Sequence, residues 1–250
     1  MNRSLQAAHL VELMTSAQGE GPWIGCRQIF LRFFGCNLDC SYCDTPGSGP
    51  RPTHCRVERE PGSGLFEYWE NPFSLSRIED FLVQQTSKPV HSVCLTGGEP
   101  LLQVEFIKEL ITRWSYLGIP FYLETNGTLP DKLAVLIDLV DYVSMDIKIP
   151  ESEDSLRWAL HRDFLRLAAR KQGYAKIVIT DTVSERELLR AGEMVQREAP
   201  TYPLILQPLT EKDGKISLLP SRLLALQAAA LQVHHDVRLI PQTHKFLGIL

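Results

Sequence analysis

Three of the chain's six cysteines fall within eight positions of the stretch FGCNLDCSYCDT, residues 34–45. Cys36, Cys40 and Cys43 form a C-x3-C-x2-C triplet. Closely spaced thiolates are soft ligands suited to zinc or to an iron–sulfur cluster. A structural zinc ion closes its tetrahedron with a fourth ligand, which His54 or Cys55 could supply. A cubane held by three thiolates instead leaves one iron open to a small molecule, as a catalytic cluster requires. The other cysteines match no motif. Cys94 alternates within an apolar strand, and Cys26 and Cys55 read as loop residues, so each is expected to be a small hydrophobe or a bystander.

Further polar residues interrupt or end apolar runs. LTGGEP (95–100) closes a predicted strand, and Gly97 and Gly98 let backbone groups approach a ligand closely. In QIFLRFF (28–34), alternation puts Phe30, Arg32 and Phe34 on one face and Ile29, Leu31 and Phe33 on the other. An arginine facing a barrel interior is expensive unless an anion meets it, for instance an internal acidic side chain such as Glu99. In SMDIK, Ser144, Asp146 and Lys148 share one face opposite Met145 and Ile147. LETNGT ends a strand at Glu124, Thr125 and Asn126, with Asn126–Gly127 reading as a turn. QGEG (18–21) and DTP (44–46) also read as turns, and His244 as a surface or packed residue.

Strands are predicted over 28–34, 91–96, 120–125, 141–148, 174–180, 203–208 and 236–241, with amphipathic helical stretches between them. One of these carries Val104, Ile107, Leu110, Ile111 and Trp114 on a single face. Such alternation argues for parallel strands with right-handed crossovers. A closed eight-unit barrel needs about 250 residues, and here a Gly/Pro-rich insertion takes up 46–75. The expectation is α/β: a single domain over 1–250 built as a partial (β/α) barrel of about six to seven parallel strands. An open doubly wound sheet is the alternative.

Composition limits the partners. The chain is 44% hydrophobic and 22% charged, as in soluble globular proteins that bury a substantial core. A formal net charge of −4 provides no basic field, so nucleic acid is not expected. No apolar run is long enough to span a membrane, and the first residues lack a signal peptide's apolar core. Six cysteines in a chain of 250 residues, three of them clustered, do not make a secreted disulfide scaffold, so a cytoplasmic protein is expected.

The triplet, with Tyr42 before its last cysteine and LTGGEP at the next strand end, resembles the signature of radical S-adenosylmethionine (SAM) enzymes. SAQGEGPWIGCRQIFLRFFGCNLDCSYCDT, LETNGT, SMDIK, LQP and PQTHKFLGIL extend the likeness over nearly the whole chain apart from 46–75. Together they resemble the 7-carboxy-7-deazaguanine synthase family. That family contracts the ring of 6-carboxy-5,6,7,8-tetrahydropterin with release of ammonia, a step toward queuosine and other deazapurines.

The resemblance implies a [4Fe–4S] cluster on Cys36, Cys40 and Cys43 whose open iron chelates SAM. One electron from the reduced cluster cleaves the sulfonium to a 5′-deoxyadenosyl radical, which takes a hydrogen atom from the substrate. Tyr42, Gly98, Ser144, Asp146, Lys148 and Gln207 would bind SAM. Ala17, Gln18, Gly19, Arg32, Thr96 and the main-chain carboxylate of Leu250 would bind the pterin. Thr45 would ligate Mg²⁺, with Asp44 as a supporting residue outside the ligand set. Two positions depart from the family pattern: many members carry a larger aliphatic residue where Ala17 stands, and a shorter Ser-Pro-Lys in place of SMDIK. A homodimer and an electron donor such as flavodoxin or ferredoxin are implied as well. The competing expectations are an activating enzyme for glycyl-radical proteins and a non-enzymatic zinc or iron–sulfur module.

Overall fold

The computed structural model describes residues 7–43, 49–149, 155–211 and 214–249. Strands β1 (Ala7–Ala8), β2 (Leu10–Ala17), β3 (Arg27–Phe33), β4 (His54–Glu58), β5 (Phe66–Glu70) and β6 (Phe73–Ser74) come first. Helices and strands then alternate: α1 (Leu75–Gln85), β7 (Ser92–Gly97), α2 (Val104–Trp114), β8 (Phe121–Thr125), α3 (Pro130–Leu136) and β9 (Tyr142–Asp146). The series continues with α4 (Ser155–Ala168), β10 (Gln172–Ile179), α5 (Glu185–Glu198), β11 (Leu204–Pro208), α6 (Pro220–Leu231), β12 (Val237–Leu239) and α7 (Thr243–Leu247).

The main sheet runs β12-β11-β10-β9-β8-β7-β3-β2-β4-β5. From β3 to β12 every neighbouring pair is parallel, which makes seven parallel strands. Their order in space follows their order in sequence with no reversal. A doubly wound sheet would reverse at a switch point, so the partial barrel is the architecture.

Two cores flank the sheet. Ile29, Leu31 and Phe33 belong to the large core that includes the buried faces of the helices, while Phe30 joins Met14, Cys94, Tyr122, Tyr174 and Ile205 in a smaller inner cluster. The alternation read in QIFLRFF is therefore the actual division between helix side and barrel interior. Cys94 is fully buried in the inner cluster, as a small hydrophobe.

Two parts differ from expectation. The N-terminal segment forms β2, antiparallel to β3. The 46–75 segment builds β4, parallel to β2, and β5, antiparallel to β4, so it widens the sheet as a hairpin. Its strand pattern is HCRVE, where Cys55 and Val57 are fully buried and alternate with exposed Arg56. Cys55 is thus a strand residue of the helix-side core, and burial pushes its thiol pKa up. This removes it as a fourth ligand for the triplet.

Local capping supports the alternation. At the start of α5, Ser184 and Glu187 form a capping box, each side chain accepting from the other's backbone N–H. Ser184→Ala is expected to cost about 1 kcal/mol. Thermal unfolding should show a fall of roughly 2–4 °C, with iron content unchanged. Among the described residues, no helix is long and apolar enough to cross a membrane.

Candidate active site

A cavity of about 570 Å³ opens inside the barrel, lined chiefly by the later residues of its strands and the loops after them. Its walls include all three triplet cysteines, Tyr42, Ala17, Gln18, Gly19, Arg32, Thr96, Gly98, Ser144, Asp146, Lys148 and Gln207. Every described residue expected at the site is therefore brought to one space. Thr45, Leu250 and Asp44 lie outside the described residues.

The cysteine loop leaves β3 directly. Glu99 N–H donates to Gly35 O at 2.7 Å and Gly98 N–H to Phe33 O at 3.2 Å, fastening the GGEP turn to the loop's first residues. A Cβ on Gly98 would run into the Gly35 carbonyl and press on Cys36 Cβ, so only glycine lets the two segments meet this closely. Within the loop, Cys43 N–H donates to Cys40 O at 3.0 Å and Leu38 N–H to Cys36 Sγ at 3.4 Å. Among the described residues, no group of three or more His, Cys, Asp or Glu side chains is placed to hold a single metal ion.

Glu99 is not the partner of Arg32. Its carboxylate is fully buried and accepts from Thr125 Oγ1 at 2.9 Å, Asn126 N at 2.7 Å and Leu101 N at 3.1 Å. Burial pushes its pKa up to about 7 against the pull of those hydrogen bonds. Asn126 is more than a turn residue, since its Nδ2 donates to Asn37 Oδ1 at 2.9 Å and lies 3.8 Å from Cys36 Sγ. Glu99 and Asn126 together brace the cysteine loop against β8. The turn reading holds for Gly127, at φ +66°.

Polar residues cross the sheet in one row. Arg32 pairs in register with Thr96 on one side and Glu12 on the other. Thr96 Oγ1 donates to Glu124 Oε2 at 2.7 Å, and Glu124 stands opposite Ser144. Arg32 Nε lies 3.4 Å from Glu12 Oε2. Gln18 Nε2 donates to Glu124 Oε1 and to Gln28 Oε1, both at 2.9 Å, and its own N–H and C=O bond Cys26 O and Gly25 N. Gln18 therefore shapes the wall mainly by fixing Glu124.

Above the row lies a charged network. Asp146 Oδ2 is 2.9 Å from Lys148 Nζ and 3.3 Å from Lys176 Nζ, and Lys176 also pairs with Glu20. Gln207 Nε2 and Gln242 Nε2 donate to Glu20 Oε1 at 3.1 and 2.9 Å. Burial works to raise the Glu20 pKa, but the Lys176 ammonium and these hydrogen bonds hold it at about 2. Lys148 carries its ammonium 5.1 Å from the Tyr42 ring centroid. Its backbone N–H donates to Nε2 of buried His161, whose pKa burial lowers. Lys176 and Glu20 were missed in the sequence. Lys176 interrupts YAKIVIT as Arg32 interrupts QIFLRFF, and that signal marks it.

The C-terminal segment closes one wall. Thr243 donates through N–H and Oγ1 to Gly19 O at 2.9 and 3.1 Å, and Lys245 Nζ reaches Thr210 O at 2.6 Å. A Cβ on Gly19 would collide with the His244 ring, so glycine there lets α7 dock. His244 is consequently a cavity residue.

The residues present fit a cluster and SAM. Among the described residues, Asp146 Oδ1 and Gln207 Oε1 are buried acceptors that meet no hydrogen-bond partner, and both residues line the cavity. Buried acceptors of this kind call for donors from a ligand, such as hydroxyl or amino groups. Three thiols on the adjoining loop supply soft ligands.

A family model described as the radical SAM superfamily matches residues 31–180. A 7-carboxy-7-deazaguanine synthase from Geobacter sulfurreducens is 40% identical over 254 residues, covering 99% of this chain and 100% of that protein. The chain belongs to the 7-carboxy-7-deazaguanine synthase family of radical SAM enzymes. A second relative of that name, from Archaeoglobus fulgidus, is 36% identical over 97% of this chain and 99% of its own. The fold matches QueE from Escherichia coli with a TM-score of 0.58 at 17% identity, covering 96% of this chain and 94% of that one. A radical SAM methyltransferase from Sphaerobacter thermophilus matches with a TM-score of 0.54 at 10% identity, covering 92% and 77%. Both structures share the fold. As a radical SAM enzyme the chain uses a [4Fe–4S] cluster and SAM, which the cysteine loop and the two open acceptors suit.

Proposed function

We propose that the chain converts 6-carboxy-5,6,7,8-tetrahydropterin to 7-carboxy-7-deazaguanine with release of ammonia. The observation that carries this reading is a shared cavity: Arg32 on β3 and the cysteine triplet just after β3 face the same space. When bound, the cluster and SAM supply a one-electron cleavage that initiates hydrogen abstraction. The protein's own part is to hold the pterin beside them. Arg32 presents a planar fork to the substrate carboxylate, with Thr96 at its side. Ala17, Gln18 and Gly19 form the wall for the base, and the Leu250 carboxylate accepts from its N–H groups. Tyr42, Gly98, Ser144, Asp146, Lys148 and Gln207 hold SAM, with Lys148 as counter-ion to its carboxylate. The docked C-terminal segment supplies part of the cavity wall, which favours a small molecule over the protein substrate of a glycyl-radical activating enzyme.

On the same reading Thr45 would help to hold a Mg²⁺ ion, whose charge would favour the oxygen-rich substrate. Thr45→Ala should lose Mg²⁺ stimulation of turnover while SAM still perturbs the cluster's spectrum, and Thr45→Ser should keep both. An equal Mg²⁺ response in Thr45→Ala and the parent would remove the ion from this residue. A homodimer working in the cytoplasm, reduced by flavodoxin or ferredoxin, completes the proposal. The reading is tested by paramagnetic resonance of the anaerobically reduced enzyme. SAM should change the cluster signal, and the carboxytetrahydropterin should change it again. A signal that responds to SAM and ignores the pterin points to another substrate, and zinc without iron points to the non-enzymatic module.

A further inference from the structure

The β4–β5 hairpin places a second guanidinium beside Arg32. Glu12 of β2 lies in register between Arg32 of β3 and Arg56 of β4. Its Oε2 is 3.4 Å from Arg32 Nε and its Oε1 is 3.5 Å from Arg56 Nη1. All three residues line the cavity.

Charge gives this trio a direction. Arg32 with Glu12 alone is a neutral pair, so an incoming carboxylate would meet attraction from one and repulsion from the other. Arg56 adds a second guanidinium on the far side of Glu12, so an incoming carboxylate meets attraction from both sides. The two contacts to Glu12 are also longer than the roughly 2.7–2.9 Å of a tight charge-assisted hydrogen bond. They hold the guanidiniums in place, and the contact to Arg56 leaves that side chain's best donor geometry unspent. Arg56 is further fixed by Phe66 of β5, whose ring centroid lies 4.0 Å from its Cζ, a cation–π contact. Its side chain is 44% exposed, so its donors are open to a ligand.

We propose that Arg56 is a second carboxylate-binding residue, and that it sets the cavity's preference for a pterin that bears a carboxylate. This rests on the pterin reading of the site. Glu12 acts as a positioning residue that spaces the two forks. The hairpin, which in sequence reads as an insertion, then belongs to the specificity of the site.

Isothermal titration tests this on the cluster-loaded, SAM-bound enzyme without reductant, so that no turnover occurs. The probes are 6-carboxy-5,6,7,8-tetrahydropterin and tetrahydropterin lacking the carboxylate. Arg56→Met should weaken the first about tenfold and leave the second within about twofold, in line with a partly screened contact. Arg56→Lys, which keeps the charge and loses the fork, should fall between. An unchanged affinity ratio in Arg56→Met, or equal weakening of both ligands, would overturn the proposal and leave Arg56 a structural part of the hairpin. Arg32→Met, run in parallel, separates the two ideas. If it loses discrimination while Arg56→Met keeps it, only the role of Arg56 fails. A parent enzyme that does not distinguish the two pterins contradicts the carboxylate reading itself.

Discussion

Alanine at any one of Cys36, Cys40 or Cys43 is expected to give a folded protein with no cubane and no turnover. Two thiolates cannot hold the cluster with a single iron left open, and the described surroundings offer no replacement. Cys55 lies in the helix-side core and Cys94 in the inner cluster, both fully buried. The fold should survive because the triplet belongs to neither core, Cys43 being exposed and the other two half-buried. Iron and sulfide analysis after anaerobic reconstitution reads the first effect, and thermal unfolding of the apoprotein the second. Cys26→Ala, Cys55→Ala and Cys94→Ala should all retain the cluster. The two buried substitutions should cost stability through lost packing, about 1 kcal/mol each. A triplet variant with full iron, or a Cys55→Ala variant that loses a zinc ion, contradicts the assignment.

Lys176→Met is expected to have the largest effect on stability. The Lys176 ammonium sits between Glu20 and Asp146, with side-chain exposures of 10% for Lys176, 18% for Glu20 and 14% for Asp146. Removing the cation leaves Glu20 buried without its ammonium and Asp146 with Lys148 alone. Breaking a buried pair this way costs about 3–5 kcal/mol, or on the order of 10 °C in a chain of this size. The pH dependence follows from Glu20, whose pKa in the folded protein is held at about 2, below its ordinary 4.5. A depressed carboxylate stabilises the fold above pH 4.5 and loses that contribution as pH falls toward 2. The gap between parent and Lys176→Met should therefore be widest near neutral pH and narrow on acidification below 4.5. Adding Glu20→Gln to Lys176→Met should recover part of the loss at pH 7, since it removes one stranded charge. Denaturant unfolding of the apoproteins at several pH values measures all three effects. A gap independent of pH would mean that lost packing outweighs lost charge pairing.

The seven parallel strands were legible because strands buried on both faces appear as near-continuous apolar runs between amphipathic helices. The chemistry was legible where a polar residue breaks such a run, as Arg32 does in QIFLRFF and Asp146 in SMDIK. Other residues needed tertiary information. Glu20 and Lys176 pair across 156 residues, so neither announces its partner locally. Asn126 looks like half of an Asn-Gly turn until Asn37 and Cys36, about ninety residues earlier, are packed against it. The β4–β5 hairpin was hidden by its Gly- and Pro-rich flanks. Its strand β4 gains stability from pairing with β2, a neighbour the hairpin's own sequence does not specify, and β5 is held through β4.

The most direct test of the proposed activity is a product balance. Cluster-loaded enzyme is incubated anaerobically with SAM, Mg²⁺, a reductant and 6-carboxy-5,6,7,8-tetrahydropterin. Mass spectrometry and ammonia assay should find 7-carboxy-7-deazaguanine and ammonia in equal amounts, matching the pterin consumed. Reductive cleavage of SAM on an intact cluster with the pterin left unchanged would contradict the account.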